Sequence, residues 1–427
     1  MNQYESEAMA RELLSSGWTV TRSDEQAEFC IVNTCAVTQK AAMQSRQAVR
    51  RAIRAYPGAR IIVTGCYAQM QADEIKKING VDDVIGHAAK HKIVNLFLSR
   101  KDSSIHDPLT ICPDANGHHQ FKQYPETAYG NRSRPFLKIQ DGCDSFCTYC
   151  IVPFARGHSR SMPFEDVLKN ISKLCKKGYH EVVLTGIHLG NYGLDLFPQT
   201  TIYKLLRRIH ESHLIDRVRL SSIEPLELTD EIIELVADSP FLCRHFHIPL
   251  QSGDNRILER MNRPYTAALF KDRVLKIIEK LPGAAIGVDI LIGFPGETDD
   301  HFNNTFNLIR ALPIAYLHVF PYSARPGTAA FNFPDKVSSK TIKKRCLTMR
   351  TLGIEKKQTF YKKHIGSTLE VIIEETRDRN TGLLRGISSN YIPVVVDASD
   401  IFQNKIVNVR VEKLLAENLL YGNIILK

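Results

Sequence analysis

Three cysteines lie close together in DGCDSFCTYC (residues 141–150), directly after the strand-like segment RPFLKIQ (134–140). That segment is the first of six strand patterns, which alternate with amphipathic helical patterns. Strands that alternate with helices predict a parallel sheet, and six such units fit an open (β/α)6 barrel, because a complete barrel needs eight. Functional groups are therefore expected at the carboxyl ends of the strands. The other five patterns are HEVVLTG (180–186), RVRLSSI (217–223), HFHIPLQ (245–251), AIGVDILIG (285–293) and AYLHVFPYS (315–323).

Further domains are predicted on either side of this barrel. The first part of the chain alternates short strands, such as AEFCIVNTC (27–35) and RIIVTGC (60–66), with helices, which predicts a doubly wound α/β sheet with a further strand at Trp18–Thr21. The last part alternates apolar and polar residues between turn residues, which predicts a five-stranded barrel of the oligonucleotide-binding type. The predicted parts are an N-terminal α/β domain (1–101), a linker (102–133), the central barrel (134–335), a basic helical connector (336–363) and a small all-β domain (364–427).

Composition narrows the classes of protein that this chain could be. Its 427 residues carry a formal net charge of +10, which favours a polyanionic partner such as nucleic acid. No apolar run approaches the roughly 20 residues of a membrane span, and Glu5, Glu7 and Arg11 interrupt any signal-like start. We therefore expect a cytoplasmic protein without a membrane partner. In that compartment the ten cysteines are not expected to form a disulfide framework, so burial, metal binding or catalysis must account for them.

Cys143, Cys147 and Cys150 allow three interpretations. Their spacing would put them on one helical face, although Asp, Gly and Ser in the run disfavour a helix. A structural zinc site normally needs four ligands, for which His158 could be the fourth. An iron–sulfur cluster on three cysteines keeps one iron open. The Cys-x3-Cys-x2-Cys spacing after the first barrel strand favours the cluster, because S-adenosylmethionine (SAM) can chelate the open iron through its amino and carboxylate groups.

Polar residues and glycines follow the predicted barrel strands, where a cofactor would be bound. GVDILIGFPGET (287–298) ends a strand in a Gly-Phe-Pro-Gly turn, which lets the backbone approach an adenine closely. A plain strand-to-helix turn would look the same, and each polar residue taken singly is compatible with a structural role. Together they predict the SAM-binding residues Thr185, Gly186, Ser222, Glu224, Gln251, Asp289 and Gly293.

Three sets of features occur together in this sequence. They are NTCAVT (33–38) and VTGCYAQ (63–69) in the first domain, PFLKIQDGCDSFCTYCIVPFARG (135–157) at the first barrel strand, and a C-terminal barrel similar to a TRAM domain. In this combination the chain resembles the methylthiotransferase family of radical SAM enzymes over essentially its whole length. With TGIHLG (185–190), it is most similar to the MtaB-type subfamily, which thiomethylates N6-threonylcarbamoyladenosine in tRNA.

The resemblance implies two [4Fe–4S] clusters. Cys143, Cys147 and Cys150 match the ligands of the radical SAM cluster, and Cys35 and Cys66 match two of the three ligands of an auxiliary cluster that carries or supplies sulfur. Without the resemblance, Cys35 and Cys66 would be interpreted as buried core cysteines. One SAM molecule would donate a methyl group to sulfur, and a second would provide the radical that removes hydrogen from adenine C2.

The implied activity is conversion of N6-threonylcarbamoyladenosine at position 37 of tRNA to its 2-methylthio derivative. The implied partners are the tRNA anticodon stem-loop, rather than DNA, and an electron donor such as flavodoxin or ferredoxin. Relatives that act on isopentenyladenosine in tRNA, or on an aspartate of a ribosomal protein, share the cluster motifs and remain alternatives. A non-catalytic RNA-binding protein would explain the charge but not three cysteines at a barrel mouth.

The small C-terminal barrel is the predicted RNA-binding part of the chain. Its basic residues suit contacts with phosphates, and Tyr391 and Phe402 suit stacking on single-stranded bases. A solvated, charged β-surface would have the same composition. The predicted RNA-contacting residues are Arg377, Arg379, Arg385, Lys405 and Arg410.

The sequence begins with MNQYESEAMARELL (1–14), a helical pattern with no strand before it. In the family this block follows a strand that ends in the first auxiliary-cluster cysteine, so we expect a truncated or misassigned start; a natural variant with only Cys35 and Cys66 is the alternative. Cys30 alternates along its strand and is expected in the core rather than as a third ligand. For the chain as it stands we therefore predict a radical SAM cluster with a weak or absent auxiliary cluster.

Overall fold

The computed structural model describes residues 2–21, 26–100, 108–117, 120–122, 132–415 and 419–425, with the side chains of 97–100 excepted. Much of the predicted linker (102–133) thus lies outside the described residues. The chain divides into two compact units. Unit 1 consists of Met1–Ala128, Gln140–Met162 and Ser323–Asn332, and unit 2 consists of Tyr129–Ile139, Pro163–Tyr322 and Phe333–Lys427.

Unit 1 contains a four-stranded parallel sheet with the strand order β1-β2-β3-β4. A short antiparallel ribbon (β6 and β7) and a further helix (α6) lie in its second segment. The strands are β1 (Phe29–Thr34), β2 (Arg60–Gly65), β3 (Asp83–Gly86), β4 (Leu109–Ile111), β6 (Gln140–Asp141) and β7 (Arg160–Ser161). The helices are α1 (Asn2–Ser15), α2 (Gln39–Ala55), α3 (Cys66–Met70), α4 (Ala72–Lys76), α5 (Ile93–Arg100) and α6 (Val152–Arg156).

Helices cover both faces of the unit 1 sheet, because successive residues of a strand point to opposite sides. Ile62 of β2 packs with Met9 of α1. Its neighbours Ile61 and Val63 pack instead in the cluster that contains Val49 of α2. The predicted α/β class, with helices on both faces of a parallel sheet, is confirmed.

The strand predicted at Trp18–Thr21 is wrong, because these residues are irregular. The backbone after α1 terminates the helix. Gly17 adopts φ +85, and the Trp18 amide donates a hydrogen bond to the Leu13 carbonyl at 3.1 Å. This is the bonding pattern of a helix C-cap, which occupies the amide that a sheet would need. The Trp18 ring then packs edge-on against Phe29, with ring centroids 5.3 Å apart.

Unit 2 contains six parallel strands in sequence order. They form two three-stranded ladders, which isolated bridges between β9 and the β10 region connect. The predicted open six-unit barrel is therefore confirmed. Its strands are β5 (Phe136–Lys138), β8 (Glu181–Thr185), β9 (Arg217–Leu220), β10 (His245–Gln251), β11 (Ala285–Ile292) and β12 (Tyr316–Pro321). The helices of unit 2 are α7 (Phe164–Lys176), α8 (Ile202–Ser212), α9 (Asp230–Asp238), α10 (Asn255–Arg260), α11 (Ala267–Lys280), α12 (Asp299–Ala311) and α13 (Ser339–Lys362).

The inner face of this barrel is polar. Leu317 of β12 packs at Gly353 of α13, so its neighbours Tyr316 and His318 point to the opposite, inner side. Asp289 of β11 shares that side, because it accepts a hydrogen bond from His318. Closed (β/α)8 barrels fill this space with branched aliphatic side chains. A polar inner face therefore indicates a surface for a polar ligand rather than a packed core.

A small closed barrel follows α13, as the alternating sequence pattern predicts. Its strand order is β13-β14-β15-β17-β16, and Val371, Val394 and Val409 are among its fully buried residues. In the described ranges, α13 is the longest helix at 24 residues, and no helix combines the length and apolar character needed to cross a bilayer. The strands are β13 (Thr368–Arg377), β14 (Leu384–Ser388), β15 (Pro393–Val396), β16 (Ile406–Leu415) and β17 (Leu419–Ile424).

Buried arginines join this small barrel to the larger one. Arg219 of β9 donates to the carbonyls of Ser388 and Ser389, each at 3.0 Å. The carboxylate of Glu181 lies 2.8 Å from Arg219 Nε and 2.8 Å from Arg217 Nη2. Because these side chains are almost completely buried, the carboxylate has to compensate both guanidiniums within the protein.

This buried pairing should make the stability of unit 2 depend on pH. Burial alone would raise the pKa of Glu181, but Arg219 and Arg217 outweigh it and lower the pKa from 4.5 to about 2. A carboxyl with a lowered pKa stabilises the fold above its unfolded pKa and loses that contribution as pH falls through its folded pKa. We expect this group to cost about 2 kcal/mol of unfolding free energy between pH 6 and pH 3. Urea titrations of Glu181→Gln should show a correspondingly weaker pH dependence; equal dependence in both proteins would contradict the assignment.

Candidate functional site

The loop that carries Cys143, Cys147 and Cys150 belongs to unit 1 and runs from β6 to α6. It is not helical, so the interpretation of the three cysteines as one helical face is wrong. A tight turn sets its start: Gly142 has φ +74, and a Cβ there would lie 1.9 Å from the His158 carbonyl oxygen. Only glycine therefore fits at this position without displacing the backbone.

The three cysteines differ in exposure. Cys147 is buried, at 8% relative exposure, whereas Cys143 and Cys150 are partly exposed. The Cys143 amide donates to the Gly157 carbonyl at 3.0 Å, and the Cys150 amide donates to the Cys147 carbonyl at 2.9 Å. The loop thus presents three thiols from a hydrogen-bonded backbone. This donor set fits a [4Fe–4S] cluster that keeps one iron open.

His158, the fourth ligand of the zinc alternative, is engaged with a carboxylate. Its Nδ1 lies 2.6 Å from Asp144 Oδ1, and the other oxygen of Asp144 accepts the Ser159 amide at 3.0 Å. Asp144 therefore ties the cysteine loop to the segment after α6 and occupies one ring nitrogen of His158. In this geometry the Nδ1 atom of His158 is therefore not open to a metal ion.

Cys35 and Cys66 follow the carboxyl ends of neighbouring strands. β1 and β2 are parallel, and Thr34 is opposite Gly65 in their register, so the two cysteines come next at the same edge of the sheet. Gly65 has φ +101, and a Cβ there would lie 2.3 Å from the Thr34 carbonyl oxygen. The two strand ends approach closely because position 65 has no side chain. The fold therefore brings together the two cysteines that the sequence paired as auxiliary-cluster ligands.

A group of buried charged side chains, here called the buried ion cluster, lies in the same unit. Arg156 Nη1 donates to Glu5 Oε1 and to Asp141 Oδ1, both at 2.8 Å. Lys90 Nζ donates to Glu5 Oε2 at 2.6 Å, and His87 Nε2 lies 3.4 Å from Asp141 Oδ2. Every carboxylate in the group therefore contacts a cation, as burial requires. The members are Glu5, His87, Lys90, Asp141 and Arg156.

This cluster acts electrostatically on Cys66. Burial raises the pKa of the Cys66 thiol, while Arg156 and Lys90 oppose that effect by favouring the thiolate. Burial, with a contribution from Arg156, lowers the pKa of His87 from 6.5 to about 4, so that this imidazole is neutral at neutral pH. Two carboxylates then balance two cations, and the Arg156 guanidinium bridges the carboxylates of Glu5 and Asp141.

The sequence interpretation missed the buried ion cluster, although it contains one readable signal. Glu5 lies on the same face of α1 as Ala8 and Met9, which are three and four positions further along and are buried. A carboxylate on the buried face of a helix needs a partner inside the protein. Nothing local in the sequence indicates that this partner is Arg156.

The predicted SAM-binding residues all belong to unit 2, and most of them lie at strand ends. Thr185 ends β8 and Gly186 follows it, whereas Gln251 ends β10 with φ +63. Gly293 follows β11 with φ +81, and a Cβ there would lie 2.3 Å from Ile342 Cγ1, so only glycine fits. Their contact with SAM stays a prediction.

Ser222 and Glu224 follow β9. Ser222 is exposed and forms a backbone bridge with His247 of β10. Glu224 is paired with Arg263, and burial raises its pKa although Arg263 opposes that rise. A protein cation thus already engages the Glu224 carboxylate.

Asp289 lies inside β11 rather than at its end, and two histidines share one of its oxygens. His247 Nε2 and His318 Nδ1 lie 2.8 Å and 3.2 Å from Asp289 Oδ1. Burial alone would raise the pKa of Asp289, but the two histidines outweigh it and lower the pKa to about 2, so the group is ionised at neutral pH. The Tyr316 hydroxyl lies 3.1 Å from His247 Nδ1 and 2.8 Å from His245 Nε2. The sequence interpretation singled out Asp289 but missed the side chains around it.

The predicted RNA-contacting residues are spread over the small barrel. Arg377 is paired with Asp400 at 2.7 Å, and Arg385 lies 3.7 Å from Glu374. Acidic neighbours therefore already engage these two arginines. The remaining three predicted residues, Arg379, Lys405 and Arg410, are exposed.

The five residues do not form one patch. Arg377 ends β13, whereas Arg410 pairs with Thr368 at the other end of the same ten-residue strand. Strand geometry separates these ends by roughly 30 Å. Tyr391, predicted to stack on bases, stacks on His245 with ring centroids 4.4 Å apart. The RNA-binding assignments stay predictions.

Two family models match the sequence. The model described as the radical SAM superfamily matches residues 137–309. The model described as uncharacterized protein family UPF0004 matches residues 1–86. Together they cover most of the unit 1 sheet and the larger barrel.

Named relatives match nearly the whole chain. The threonylcarbamoyladenosine tRNA methylthiotransferase MtaB of Bacillus subtilis (strain 168) is 37% identical over 418 residues, which cover 97% of this chain and 92% of that protein. The MtaB of Aquifex aeolicus (strain VF5) is 36% identical over 381 residues, or 88% of this chain and 91% of that protein. The tRNA-2-methylthio-N(6)-dimethylallyladenosine synthase of Pelotomaculum thermopropionicum is 32% identical over 417 residues, or 96% of this chain and 92% of that protein.

A solved structure shares the fold. The radical SAM methyltransferase TsrM from Kitasatospora setae, with cobalamin and a [4Fe–4S] cluster bound, superposes with a TM-score of 0.57 at 15% identity. The match covers 77% of this chain and 73% of that chain. At this identity the likeness concerns the fold alone.

Proposed function

The chain belongs to the methylthiotransferase family of radical SAM enzymes, and we propose that it transfers a methylthio group to N6-threonylcarbamoyladenosine in tRNA. The observation that carries the proposal is the alignment with MtaB of B. subtilis, at 37% identity over 92% of that enzyme. The net charge of +10 suits a tRNA substrate. The dimethylallyladenosine synthase of P. thermopropionicum aligns over a similar length at 32% identity, so an isopentenylated adenosine is the second candidate.

Cys143, Cys147 and Cys150 are the residues that would hold the radical SAM cluster. When bound, the cluster supplies the electron that cleaves SAM to a radical. The chain's own contribution is positioning: the Gly142 turn and the backbone hydrogen bonds of Cys143 and Cys150 set the loop before any ligand arrives. Burial of Cys147 keeps water from that side of the loop.

Cys35 and Cys66 are two of the three ligands that the family uses for the auxiliary cluster, and we propose them as the ligands that the unit 1 sheet contributes. A thiol must be deprotonated to bind iron, and burial alone would oppose this for Cys66. Arg156 and Lys90 of the buried ion cluster offset part of that cost because they favour the thiolate. We further infer tRNA as the macromolecular partner, flavodoxin or ferredoxin as the electron donor, and the cytoplasm as the location.

Nucleoside analysis tests the proposed substrate. Deleting the gene should remove 2-methylthio-N6-threonylcarbamoyladenosine from cellular tRNA, as measured by mass spectrometry of digested tRNA. A plasmid copy should restore the nucleoside, and so should the Cys175→Ala copy, because this exposed cysteine of α7 lies outside the proposed sites. Loss of the 2-methylthio-isopentenyl nucleoside instead would assign the second candidate. No change in either nucleoside would contradict methylthio transfer to tRNA.

The small barrel should contribute to tRNA affinity through phosphate contacts. Replacing Arg379, Lys405 and Arg410 together by glutamine should weaken tRNA binding and lower the salt dependence of binding. Each phosphate contact to a single strand contributes about 0.7 to the slope of log K against log salt, so the slope should fall by about 2. Filter binding at several salt concentrations measures it. The matched control is Arg207→Gln on α8, an exposed arginine paired with Glu211. An unchanged slope in the triple variant would exclude these residues from the RNA interface.

A further inference from the structure

The polar inner face of the unit 2 barrel contains a connected chain of side chains. Tyr316 bonds to His247, His247 bonds to Asp289, and Asp289 accepts from His318. Three neighbouring parallel strands, β10, β11 and β12, contribute these groups. This series of hydrogen-bonded side chains ends at His318, whose side chain is 53% exposed.

The backbone of β11 is adapted to this arrangement. A Cβ at Gly287 would lie 2.1 Å from Cζ of the Tyr316 ring, so only glycine leaves room for the tyrosine. Tyr316 then fixes the orientation of His247 through Nδ1, and His247 directs its Nε2 toward Asp289. Asp289 therefore orients His318, and Asp289 is itself positioned by His247 and Tyr316, whose places are set by packing.

One nitrogen of His318 is available to a ligand. Its Nδ1 is engaged by Asp289 at 3.2 Å, which leaves Nε2 on the exposed edge of the ring. Among the residues that the structure describes, Nε2 has no hydrogen-bond partner. An imidazole oriented by a carboxylate can accept a hydrogen bond through Nε2 when neutral and donate one when protonated.

We propose that His318 binds the threonylcarbamoyl group of the substrate and so determines which modified adenosine the enzyme accepts; this inference rests on the proposed function. The threonylcarbamoyl group carries a ureido group, a hydroxyl and a carboxylate, all able to hydrogen bond with the imidazole. An isopentenyl group offers only hydrocarbon. An isopentenyl group next to His318 and Asp289 would displace water from these polar side chains without replacing the lost hydrogen bonds, which is unfavourable.

Binding of three anticodon stem-loops to the cluster-loaded enzyme tests the proposal. The stem-loops have one sequence and carry threonylcarbamoyladenosine, isopentenyladenosine or adenosine, and fluorescence anisotropy under anaerobic conditions gives the dissociation constants. We expect the wild-type enzyme to prefer the threonylcarbamoyl form by about tenfold or more, the range of one hydrogen bond to a charged group. His318→Phe should reduce that preference to about twofold or less, whereas His318→Gln, which keeps a polar atom near the position of Nε2, should retain part of it.

His180 provides the matched control. It is also a partly exposed histidine paired with a carboxylate, since its Nδ1 lies 2.6 Å from Asp216 Oδ2, but it precedes β8 and is not on a strand of the inner face. His180→Phe should therefore keep the wild-type preference. A His318→Phe enzyme that also keeps it would overturn the proposal, as would stoichiometric zinc held by His247, Asp289 and His318. Failure of the proposed function can be distinguished from failure of the His318 proposal. In the former case the wild-type enzyme would methylthiolate only isopentenyladenosine, and analysis of the product nucleosides would detect this.

Discussion

Replacing Cys147 by alanine should abolish the reductive cleavage of SAM. The three thiols of the loop would each hold one iron of a cluster whose fourth iron binds SAM, so loss of one thiol would destabilise the cluster. Because Cys147 is buried, water cannot readily take its place. We expect 5′-deoxyadenosine formation with dithionite under anaerobic conditions to fall by more than about a hundredfold. Chromatography of the product measures the rate, and iron and sulfide analysis should show loss of the cluster held by this loop.

Two comparisons separate cluster loss from a general defect. Cys143→Ala and Cys150→Ala should lose the same activity, because they remove the other two proposed ligands of the same cluster. Cys175→Ala should behave like the wild type, because this cysteine is exposed on α7 in the other unit. A Cys147→Ala enzyme with a normal rate would remove this residue from the ligand set. Stoichiometric zinc without sulfide in the wild type would refute the cluster itself.

Replacing Arg156 by methionine should destabilise unit 1 by about 3–5 kcal/mol, because Asp141 loses its 2.8 Å partner and Glu5 keeps only Lys90, which leaves buried negative charge uncompensated. The guanidinium contacts Glu5 and Asp141, each at 2.8 Å, and neither carboxylate can reach water in its place. Urea unfolding at neutral pH measures the loss. Trp18 is the only tryptophan of the chain and packs against Phe29 of β1, so its fluorescence reports on unit 1 specifically.

Lys76→Met is the control for Arg156→Met within the same unit. Lys76 forms an exposed pair with Asp73 at 3.4 Å, and such pairs contribute less than about 1 kcal/mol. The double variant Asp141→Asn, Arg156→Met should be less destabilised than Arg156→Met alone, because it removes the carboxylate that lost its closest cation and keeps the Glu5–Lys90 pair. A loss below about 1 kcal/mol for Arg156→Met would mean that water or Lys90 compensates the carboxylates.

The strands of the barrel could be predicted because their signal is local. In HFHIPLQ (245–251), the apolar residues Phe246, Ile248 and Leu250 recur at every second position, which is the period of a strand. The same alternation left His245 and His247 on the inner face, yet it could not identify their partners. Asp289 and His318 are 29 positions apart in the chain and meet only because β11 and β12 are neighbours.

The predicted strand at Trp18–Thr21 failed for a related reason. A short run containing Trp, Thr and Val has high β-propensity, but propensity is weaker than a specific backbone contact. Gly17 allows the chain to turn at the end of α1, and the Trp18 amide is used there. The side chain then joins the apolar cluster of the sheet without becoming part of a strand.

The class of fold, the family, and the loop in which Cys143, Cys147 and Cys150 lie could be predicted from the sequence alone, because periodicity and cysteine spacing act over a few residues. The contact of Glu5 with Arg156, 151 positions away, and the orientation of His318 by Asp289 became visible in the three-dimensional fold. Burial and ion pairing depend on how distant segments fold onto each other. A buried charge needs a partner that the tertiary fold places next to it, and no local sequence pattern predicts which residue that partner will be.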